Sequence, residues 1–328
     1  MRKRVFVSLR LPSPCPELLD REFDTKVVEA EGMPEDEVVR IIREFDPDGI
    51  VGMVNVPIGA RAMEAAPRLR CIANYAVGFN NVDVAAATSR GVLVTNTPGV
   101  LTEATADLAF ALLLGASRRI VEGDRLLRAG KFSGWKADLL LGSDVFGRTL
   151  GIIGFGRIGQ AVARRGLGFN MTILYTDARR VAPELESQLK AVFTPLDELL
   201  RKSDFVTIHA DLNAQTRHLI GERELRLMGP DSYLINAARG PIIDEAALVR
   251  ALKEGWIKGA GIDVYENEPR TAAGLTECWN AVLLPHLGSA TVTARAAMAE
   301  TAARNMIAAL SGGVPPNLVN PDVLAARA

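Results

Sequence analysis

Cysteine, histidine and aromatic residues are scarce in this chain. Among 328 residues there are three cysteines and three histidines, and aromatic residues make up 5%. Cys15, Cys71 and Cys278 lie far apart and are odd in number, so the sequence predicts neither a disulfide framework nor a metal-binding knuckle. We therefore expect a protein of the reducing cytoplasm that binds no metal ion.

The chain also lacks an excess of charge and any long apolar run. Its formal net charge is -1, which gives no electrostatic reason to expect nucleic acid or an anionic membrane as a partner. The longest apolar segment, 108–116, is far shorter than the ~20 residues that a membrane span needs. Near the N-terminus, the apolar run 5–9 is interrupted by Arg10 and is too short for a signal-peptide core. No membrane segment and no export signal are predicted.

Strand-like and helix-like patterns alternate along the chain. The length suggests about two domains of ~100–200 residues each, and the alternation predicts α/β architecture with parallel sheets. In the first third, the predicted strands are 5–8, 26–29, 50–54, 69–73 and 92–95. From residue 149 onward, they are 150–154, 172–175, 191–193, 205–209, 233–236, 261–264 and 282–284. The predicted helices include 36–45, 102 to about 129, 245–253 and 293–310.

The most informative motif is the run 149–159, which predicts a buried strand, a tight glycine turn and the start of a helix. Gly154 allows the turn, Gly156 lets the backbone approach a pyrophosphate, and Gly159 lets the helix pack close to the strand. A second predicted strand ends at Asp177, about 20 residues on, where a dinucleotide fold places its ribose-binding carboxylate. The motif therefore predicts a dinucleotide-binding domain in the second part of the chain.

The residues after this second strand bear on the choice of dinucleotide. Asp177 would bind ribose hydroxyl groups and repel a 2′-phosphate, which favours NAD(H). Arg179 and Arg180 could instead bind that phosphate. We expect NAD(H) to be favoured over NADP(H), since a fixed anion there disfavours NADP more than flexible arginines favour it.

Polar clusters follow three later predicted strands and carry Arg239, Glu268 and His286. Ligands of open α/β sheets bind at the carboxyl ends of strands. Arginine suits a carboxylate and a carbonyl, histidine can donate a proton as hydride arrives, and a nearby carboxylate orients the imidazole. Singly, each residue has an ordinary structural explanation; together, they predict reduction of a 2-keto acid. His209, at another strand end, either touches the cofactor or is structural, and His218 is predicted to be structural.

These features resemble the D-isomer-specific 2-hydroxyacid dehydrogenase family over essentially the whole chain, and within it the glyoxylate/hydroxypyruvate reductases. The glycine turn and the three polar clusters carry the resemblance, together with the segments 74–83 and 95–107. The resemblance implies two doubly wound parallel-sheet domains. A flavodoxin-like substrate domain, discontinuous, would comprise 1–99 and 287–328, and an inserted Rossmann dinucleotide-binding domain would comprise 100–286.

The resemblance also implies roles for single residues. Arg239 would bind the substrate carboxylate and carbonyl, His286 would donate the proton, and Glu268 would be the partner of His286. Val77 and Gly78 would offer backbone N–H groups to the substrate carboxylate. The positions expected to contact the cofactor are Thr105, Gly154, Gly156, Arg157, Ile158, Gly159, Asp177, Ala178, Arg179, His209, Ala237, Ala238, Asp263 and Gly288.

Family members are typically dimers, so a homodimer is expected, in which Trp135 either reaches the neighbouring subunit's substrate pocket or is structural. Asp211 stands where relatives commonly carry proline, a departure in the loop near the adenosine.

Glyoxylate or hydroxypyruvate is the expected substrate. The alternatives are 2-ketogluconate, pyruvate (the D-lactate couple) and 3-phosphohydroxypyruvate (the 3-phosphoglycerate couple), the last disfavoured because no regulatory domain follows the final helix. A non-catalytic, dinucleotide-sensing corepressor and an S-adenosyl ligand in the glycine turn are disfavoured by the trio.

Overall fold

The computed structural model describes residues 2–30 and 32–325. The chain divides into two compact units. The first unit takes in the described residues up to Leu101 and from Ala290 onward, and the second unit is Thr102–Ser289. The predicted domain boundaries, after residues 99 and 286, lie near these bounds, and the separate role assigned to each domain remains a prediction.

Strands and helices alternate in both units, and each predicted strand overlaps an observed one. The strands are β1 (Arg4–Val7), β2 (Asp24–Val27), β3 (Gly49–Gly52), β4 (Cys71–Asn74), β5 (Leu93–Thr95), β6 (Thr149–Ile153), β7 (Thr172–Thr176), β8 (Ala191–Phe193), β9 (Phe205–Ile208), β10 (Tyr233–Asn236), β11 (Gly259–Ile262) and β12 (Ala281–Leu283). The α-helices are α1 (Cys15–Glu22), α2 (Glu35–Phe45), α3 (Ala60–Glu64), α4 (Val84–Ser89), α5 (Thr102–Ser117), α6 (Ile120–Arg128), α7 (Arg157–Gly168), α8 (Pro183–Leu189), α9 (Leu196–Lys202), α10 (Glu222–Met228), α11 (Glu245–Glu254), α12 (Val292–Leu310) and α13 (Asp322–Ala325).

The first unit is a parallel five-stranded sheet in the order β2-β1-β3-β4-β5, which is the flavodoxin-like order. Buried side chains on its strands, such as Phe6, Ile50 and Ile72, join one apolar core with α2 and α3. Helix α12, from the end of the chain, covers the same sheet. A Cβ atom on Gly49 would overlap the side chain of Met306, so the glycine lets α12 lie directly on β3. This packing makes the unit discontinuous in sequence.

The second unit is a parallel seven-stranded sheet in the order β12-β11-β10-β9-β6-β7-β8. The central strands β6, β9, β10 and β11 are buried along almost their whole length, as expected of a parallel sheet covered by helices. The order reverses between β6 and β9, and in doubly wound folds ligands bind outside the carboxyl ends of strands at such a point. The two sheets confirm the predicted α/β class with two doubly wound parallel-sheet domains.

The single helix predicted from residue 102 to about 129 is wrong. Helix α5 ends at Ser117 and α6 begins at Ile120, because Arg119 has a left-handed backbone with φ of 54°. The Arg119 guanidinium donates to Glu122 at 2.9 and 2.7 Å and lies 5.2 Å from the ring centre of Trp279. These contacts stabilise a break that the apolar pattern of the segment does not show.

Two kinds of site are absent from residues 2–30 and 32–325. In that part of the chain, no helix combines the length and the apolar character that crossing a membrane requires. The same residues contain no group of histidine, cysteine, aspartate and glutamate side chains arranged to hold a metal ion.

Candidate active site

The turn after β6 requires glycine at two of its three motif positions. Gly154 has a φ of 89°, in the left-handed region, and a Cβ atom there would overlap the backbone of His209 and Ala210. A Cβ atom on Gly159 would overlap the carbonyl oxygen of Gly154. The protein itself therefore needs both glycines, because they let α7 and the chain after β9 pack against the turn.

Gly156 differs, since nothing in the described structure requires a glycine there. Its φ of -70° is open to any residue, and no atom lies within 4 Å of the place that a Cβ atom would take. Gly156 precedes α7, whose first N–H groups, from Arg157 onward, have no acceptor inside the helix. An uncovered glycine at a helix start suits close approach of a phosphate, whose charge the helix dipole favours. The turn therefore fits a bound dinucleotide.

The carboxylate of Asp177 lies against this turn. One of its oxygens accepts the N–H of Phe155 at 2.6 Å, and the other accepts the N–H of Arg179 at 3.3 Å. The residues are neighbours because Asp177 follows β7, which pairs with β6. A carboxylate at this place in a dinucleotide fold is positioned to bind ribose hydroxyl groups.

The two arginines beyond Asp177 have different surroundings. Arg180 donates two hydrogen bonds of 2.8 Å to Glu186, which also accepts from the Tyr175 hydroxyl at 2.6 Å. These contacts lower the pKa of Glu186 to about 2. Arg179 is exposed. Both arginines are exposed, and Arg180 differs in that its guanidinium is paired with Glu186.

His209, directly after β9, contributes a buried nitrogen beside the glycine turn. Its Nε2 lies 2.9 Å from the hydroxyl of Thr207. Its Nδ1 is buried and has no hydrogen-bond partner among the described residues. Burial lowers the pKa of His209 to about 3, so the ring is neutral at pH 7. An unsatisfied buried nitrogen is uncommon in folded proteins, and a bound ligand would supply the missing partner.

Asp263, directly after β11, accepts three hydrogen bonds from the loop that carries His286. Its two carboxylate oxygens accept the N–H groups of Leu287 and Gly288 at 2.6 and 2.8 Å, and its carbonyl accepts the N–H of His286 at 2.9 Å. Burial raises the pKa of Asp263. His286 is held at a φ of 56°, a strained value for a non-glycine residue. A Cβ atom on Gly288 would lie 3.7 Å from the hydroxyl of Thr105, so three predicted cofactor positions lie together here.

Arg239 occupies a turn that a buried asparagine closes. The side chain of Asn236 accepts the N–H of Ala238 and donates to the carbonyl of Arg239, both at 3.0 Å. A Cβ atom on Gly240 would overlap the backbone of Tyr265, so this turn packs directly on the chain that leads to Glu268. The sequence argument missed the role of Asn236, although a polar residue that ends a buried strand is a usable signal.

Glu268 and His286 form a hydrogen-bonded pair. The imidazole Nδ1 lies 2.9 Å from Oε2 of Glu268, and Oε1 accepts the N–H of Tyr265 at 3.0 Å. Burial acts to raise the pKa of Glu268, but the hydrogen bond and charge of His286, the Tyr265 N–H and the charge of Arg239 lower it overall. Burial lowers the pKa of Arg239, which the charges of Glu268 and Asp211 oppose. With Nδ1 held by the carboxylate, Nε2 of His286 is the nitrogen left for proton transfer.

In the first unit, asparagine side chains hold the loop that contains Val77 and Gly78. Asn96 donates to the carbonyl of Val77 at 2.8 Å, and Asn74 donates to the carbonyl of Gly78 at 2.8 Å. Asn81 bonds to Asn74 at 3.0 Å. The carbonyl of Val77 belongs to the same peptide group as the N–H of Gly78, so the bond from Asn96 holds that N–H in place, as binding of an anion requires. The sequence argument named this pair of residues but not the asparagines.

The remaining predicted positions differ in exposure. Ala237 is buried, and Ile158 and Ala238 are partly buried. Arg157 and Ala178 are exposed. Trp135, in the loop after α6, is 85% exposed.

The chain is similar to known proteins over nearly its whole length. Residues 110–288, more than half of the chain, match the family described as D-isomer specific 2-hydroxyacid dehydrogenase, NAD binding domain. The chain is 50% identical to a glyoxylate reductase of Thermococcus gammatolerans over 99% of its own length and 98% of that protein. It is 49% identical to a glyoxylate reductase of Korarchaeum cryptofilum, over 100% and 98%.

A solved structure is similar over nearly the whole chain. It is an NADPH-dependent glyoxylate/hydroxypyruvate reductase of Sinorhizobium meliloti, in complex with NADP and malonate, with 36% identity and a TM-score of 0.88. The alignment covers 97% of each chain. On its fold, its family match and its relatives, the chain belongs to the D-isomer-specific 2-hydroxyacid dehydrogenases, a family of oxidoreductases.

Proposed function

We propose that the protein reduces glyoxylate, and also hydroxypyruvate, to the 2-hydroxy acid with NADH. The observation that carries the proposal is the hydrogen-bonded pair of Glu268 and His286, whose side chains lie 2.9 Å apart. Glu268 follows β11, His286 follows β12, and Arg239 follows the neighbouring strand β10. These groups lie on the sheet whose glycine turn fits a dinucleotide. The relatives named glyoxylate reductase, at up to 50% identity, support the choice of substrate.

In this reaction, the chain binds and orients the keto acid and transfers one proton. The guanidinium of Arg239 binds the substrate carboxylate and polarises the carbonyl, a task that suits its planar fork of donors. A bound reduced nicotinamide dinucleotide supplies the hydride. Nε2 of His286 donates a proton to the carbonyl oxygen, and Glu268 holds Nδ1 and stabilises the protonated ring. In the first unit, the Val77 and Gly78 N–H groups bind the substrate carboxylate.

The test of this proposal is a steady-state panel. Glyoxylate, hydroxypyruvate, pyruvate and 2-ketogluconate are each assayed with NADH and with NADPH. We expect the highest kcat/KM with glyoxylate or hydroxypyruvate. Oxidation of neither cofactor with any of the four acids would refute the proposal, and NADH binding without turnover would indicate a dinucleotide sensor.

We propose NAD(H) as the preferred cofactor because the Asp177 carboxylate is held against the glycine turn, whereas Arg179 is exposed and Arg180 is paired with Glu186. The relative from Sinorhizobium meliloti is NADPH-dependent and binds NADP, so a preference for NADP(H) is the alternative that an experiment must exclude.

Replacing Asp177 by Ala should raise kcat/KM for NADPH relative to NADH by about tenfold, because the anion that opposes the 2′-phosphate is removed. Arg179→Ala is the matched control and should move the ratio the other way. An unchanged ratio in Asp177→Ala would overturn this assignment.

We further propose that the protein is a homodimer through α6 and the loop after it. Large apolar side chains are exposed there, including Leu127 at 63%, Trp135 at 85% and Phe146 at 70%. Such a cluster of exposed apolar groups marks an interaction surface in a folded protein. Light scattering should give the mass of two chains, and Phe146→Asp should shift it towards one. A monomeric wild type at micromolar concentration would contradict the proposal.

A further inference from the structure

We propose that Glu245 is a positioning residue for the Glu268–His286 pair, because its buried carboxylate holds both ends of the segment that carries Glu268. The inference rests on the proposed function, since it assigns Glu245 a part in the same reaction. The sequence argument placed residue 245 only at the start of a helix.

The carboxylate of Glu245 binds two backbone groups on either side of Glu268, those of Glu266 and Ala272. Glu245 is the first residue of α11 and is 5% exposed. Its Oε2 accepts the N–H of Glu266 at 2.9 Å, and its Oε1 accepts the N–H of Ala272 at 2.9 Å. Hydrogen bonds to an ionised acceptor are stronger than those between neutral groups, and a helix N-terminus favours a negative charge. One side chain thus anchors residues 266 and 272 together.

Glu268 lies between the two anchored residues, in a closed turn. The N–H of Arg270 donates to the carbonyl of Asn267 at 3.0 Å, which closes the turn around Glu268. The carboxylate of Glu268 then reaches the Tyr265 N–H and the imidazole of His286. Its position therefore depends on where residues 266 and 272 are held.

Other groups contact the same segment and would remain if the clamp were lost. The side chain of Glu266 pairs with His218 at 2.7 Å and with Arg217 at 3.3 Å. Gly240 packs on the backbone of Tyr265 and Glu266. These contacts hold the first end of the segment, so loss of the Glu245 clamp should release mainly the end at residue 272.

The charged and titratable groups that face Glu268 come from three strand-end loops. They are Arg239, Asp263 and His286, with the phenol of Tyr265 close by. A Glu268 carboxylate that moves away from His286 and the Tyr265 N–H loses contacts that lower its pKa. Protonation of Glu268 would then set in at a higher pH.

The conservative variant Glu245→Gln keeps the size of the side chain but replaces one acceptor oxygen by an NH₂ donor. That donor would face a backbone N–H, so one of the two anchors is lost. We expect kcat to fall about tenfold while the Kd for NADH stays unchanged, because a small misplacement of a catalytic group is costly. In the pH profile of kcat, the acid limb should move to higher pH, because Glu268 is protonated at a higher pH once it has lost these contacts.

A double-mutant cycle separates positioning from a general structural effect. Glu268→Gln alone should lower kcat, and adding Glu245→Gln to it should change kcat by less than about twofold, since the group being positioned is already gone. Glu222→Gln, at the exposed first position of α10, is the matched control and should leave kcat and the acid limb unchanged. Full additivity of the Glu245 and Glu268 effects would overturn the inference.

A spectroscopic readout tests the inference without turnover. The Nδ1–H proton of His286, bound to Glu268, should give a downfield NMR signal that is assigned by its absence in His286→Ala. The signal should weaken in Glu245→Gln and persist in Glu222→Gln. Its persistence in Glu245→Gln would refute the positioning role even if the wild type reduced none of the four acids, an outcome that would refute the proposed function separately.

Discussion

The carboxyl ends of the two sheets carry different chemistry, although both sheets are parallel and buried. In the first unit, neutral amides of Asn74 and Asn96 hold a loop that offers backbone N–H groups. In the second unit, a guanidinium, a carboxylate and an imidazole follow successive strands. All three histidines of the chain, residues 209, 218 and 286, lie in the second unit.

The difference separates two tasks. Amides and backbone N–H groups do not titrate, so carboxylate binding by the first-unit loop, as proposed above, should keep the same strength over a wide pH range. The second unit instead carries an imidazole, the kind of side chain that serves in proton transfer. Changes in the first unit should therefore affect KM, and changes in the second should affect kcat and the pH dependence.

The largest effect should come from His286→Ala. Loss of the proton donor should lower kcat by about 10²- to 10⁴-fold with glyoxylate, while the Kd for NADH, measured by fluorescence titration, stays unchanged. His218→Ala is the comparison variant and should lower kcat far less, because His218 pairs with Glu266 and touches the segment of Glu268 only at one end. A kcat in His286→Ala within a few-fold of the wild type would exclude His286 as the proton donor.

A smaller effect, on KM alone, should follow Asn96→Ala. The carbonyl of Val77 loses its amide donor, so the adjacent N–H groups are held less firmly, and KM for glyoxylate should rise about five- to tenfold. The kcat value and the pH profile should not change. Asn280→Ala removes comparable amide bonds to the carbonyls of Leu252 and Lys258 in the second unit and should leave KM unaltered. A pH-dependent change in Asn96→Ala would contradict the separation of tasks.

The smallest effect should be on stability in acid, through His209. Its pKa is about 3 in the folded chain and 6.5 in its unperturbed state. Between these values the unfolded chain binds a proton that the folded chain does not, so the free energy of unfolding falls as the pH drops below 6.5. The wild type should lose about 2 kcal/mol more than His209→Gln between pH 7 and pH 5. Denaturant melts at both pH values test this, with His218→Gln as the control, and equal losses in all three proteins would show that His209 is not the source.

Local patterns predicted much of the fold and the groups at the site. Apolar runs between helical patterns located the central strands, because a buried parallel strand must be apolar along its length. The spacing from Gly154 to Asp177 predicted the turn and its acid, which the pairing of β6 and β7 brings together. The break at Arg119 was not predicted, because the apolar pattern of residues 102–129 does not show it, and one of the contacts of Arg119 is to Trp279, which lies far away in sequence.

By itself, the sequence determined the α/β class, the glycine turn and the kinds of group that follow the strands, because these depend on residue type and on short spacings. Only the tertiary structure decided which groups meet. Three contacts join segments that are separate in sequence. They are the Glu268–His286 pair, the bond from Asn96 to Val77, and the bonds of Glu245 to residues 266 and 272. A hydrogen bond across loops depends on backbone conformation and burial, and no local pattern encodes these.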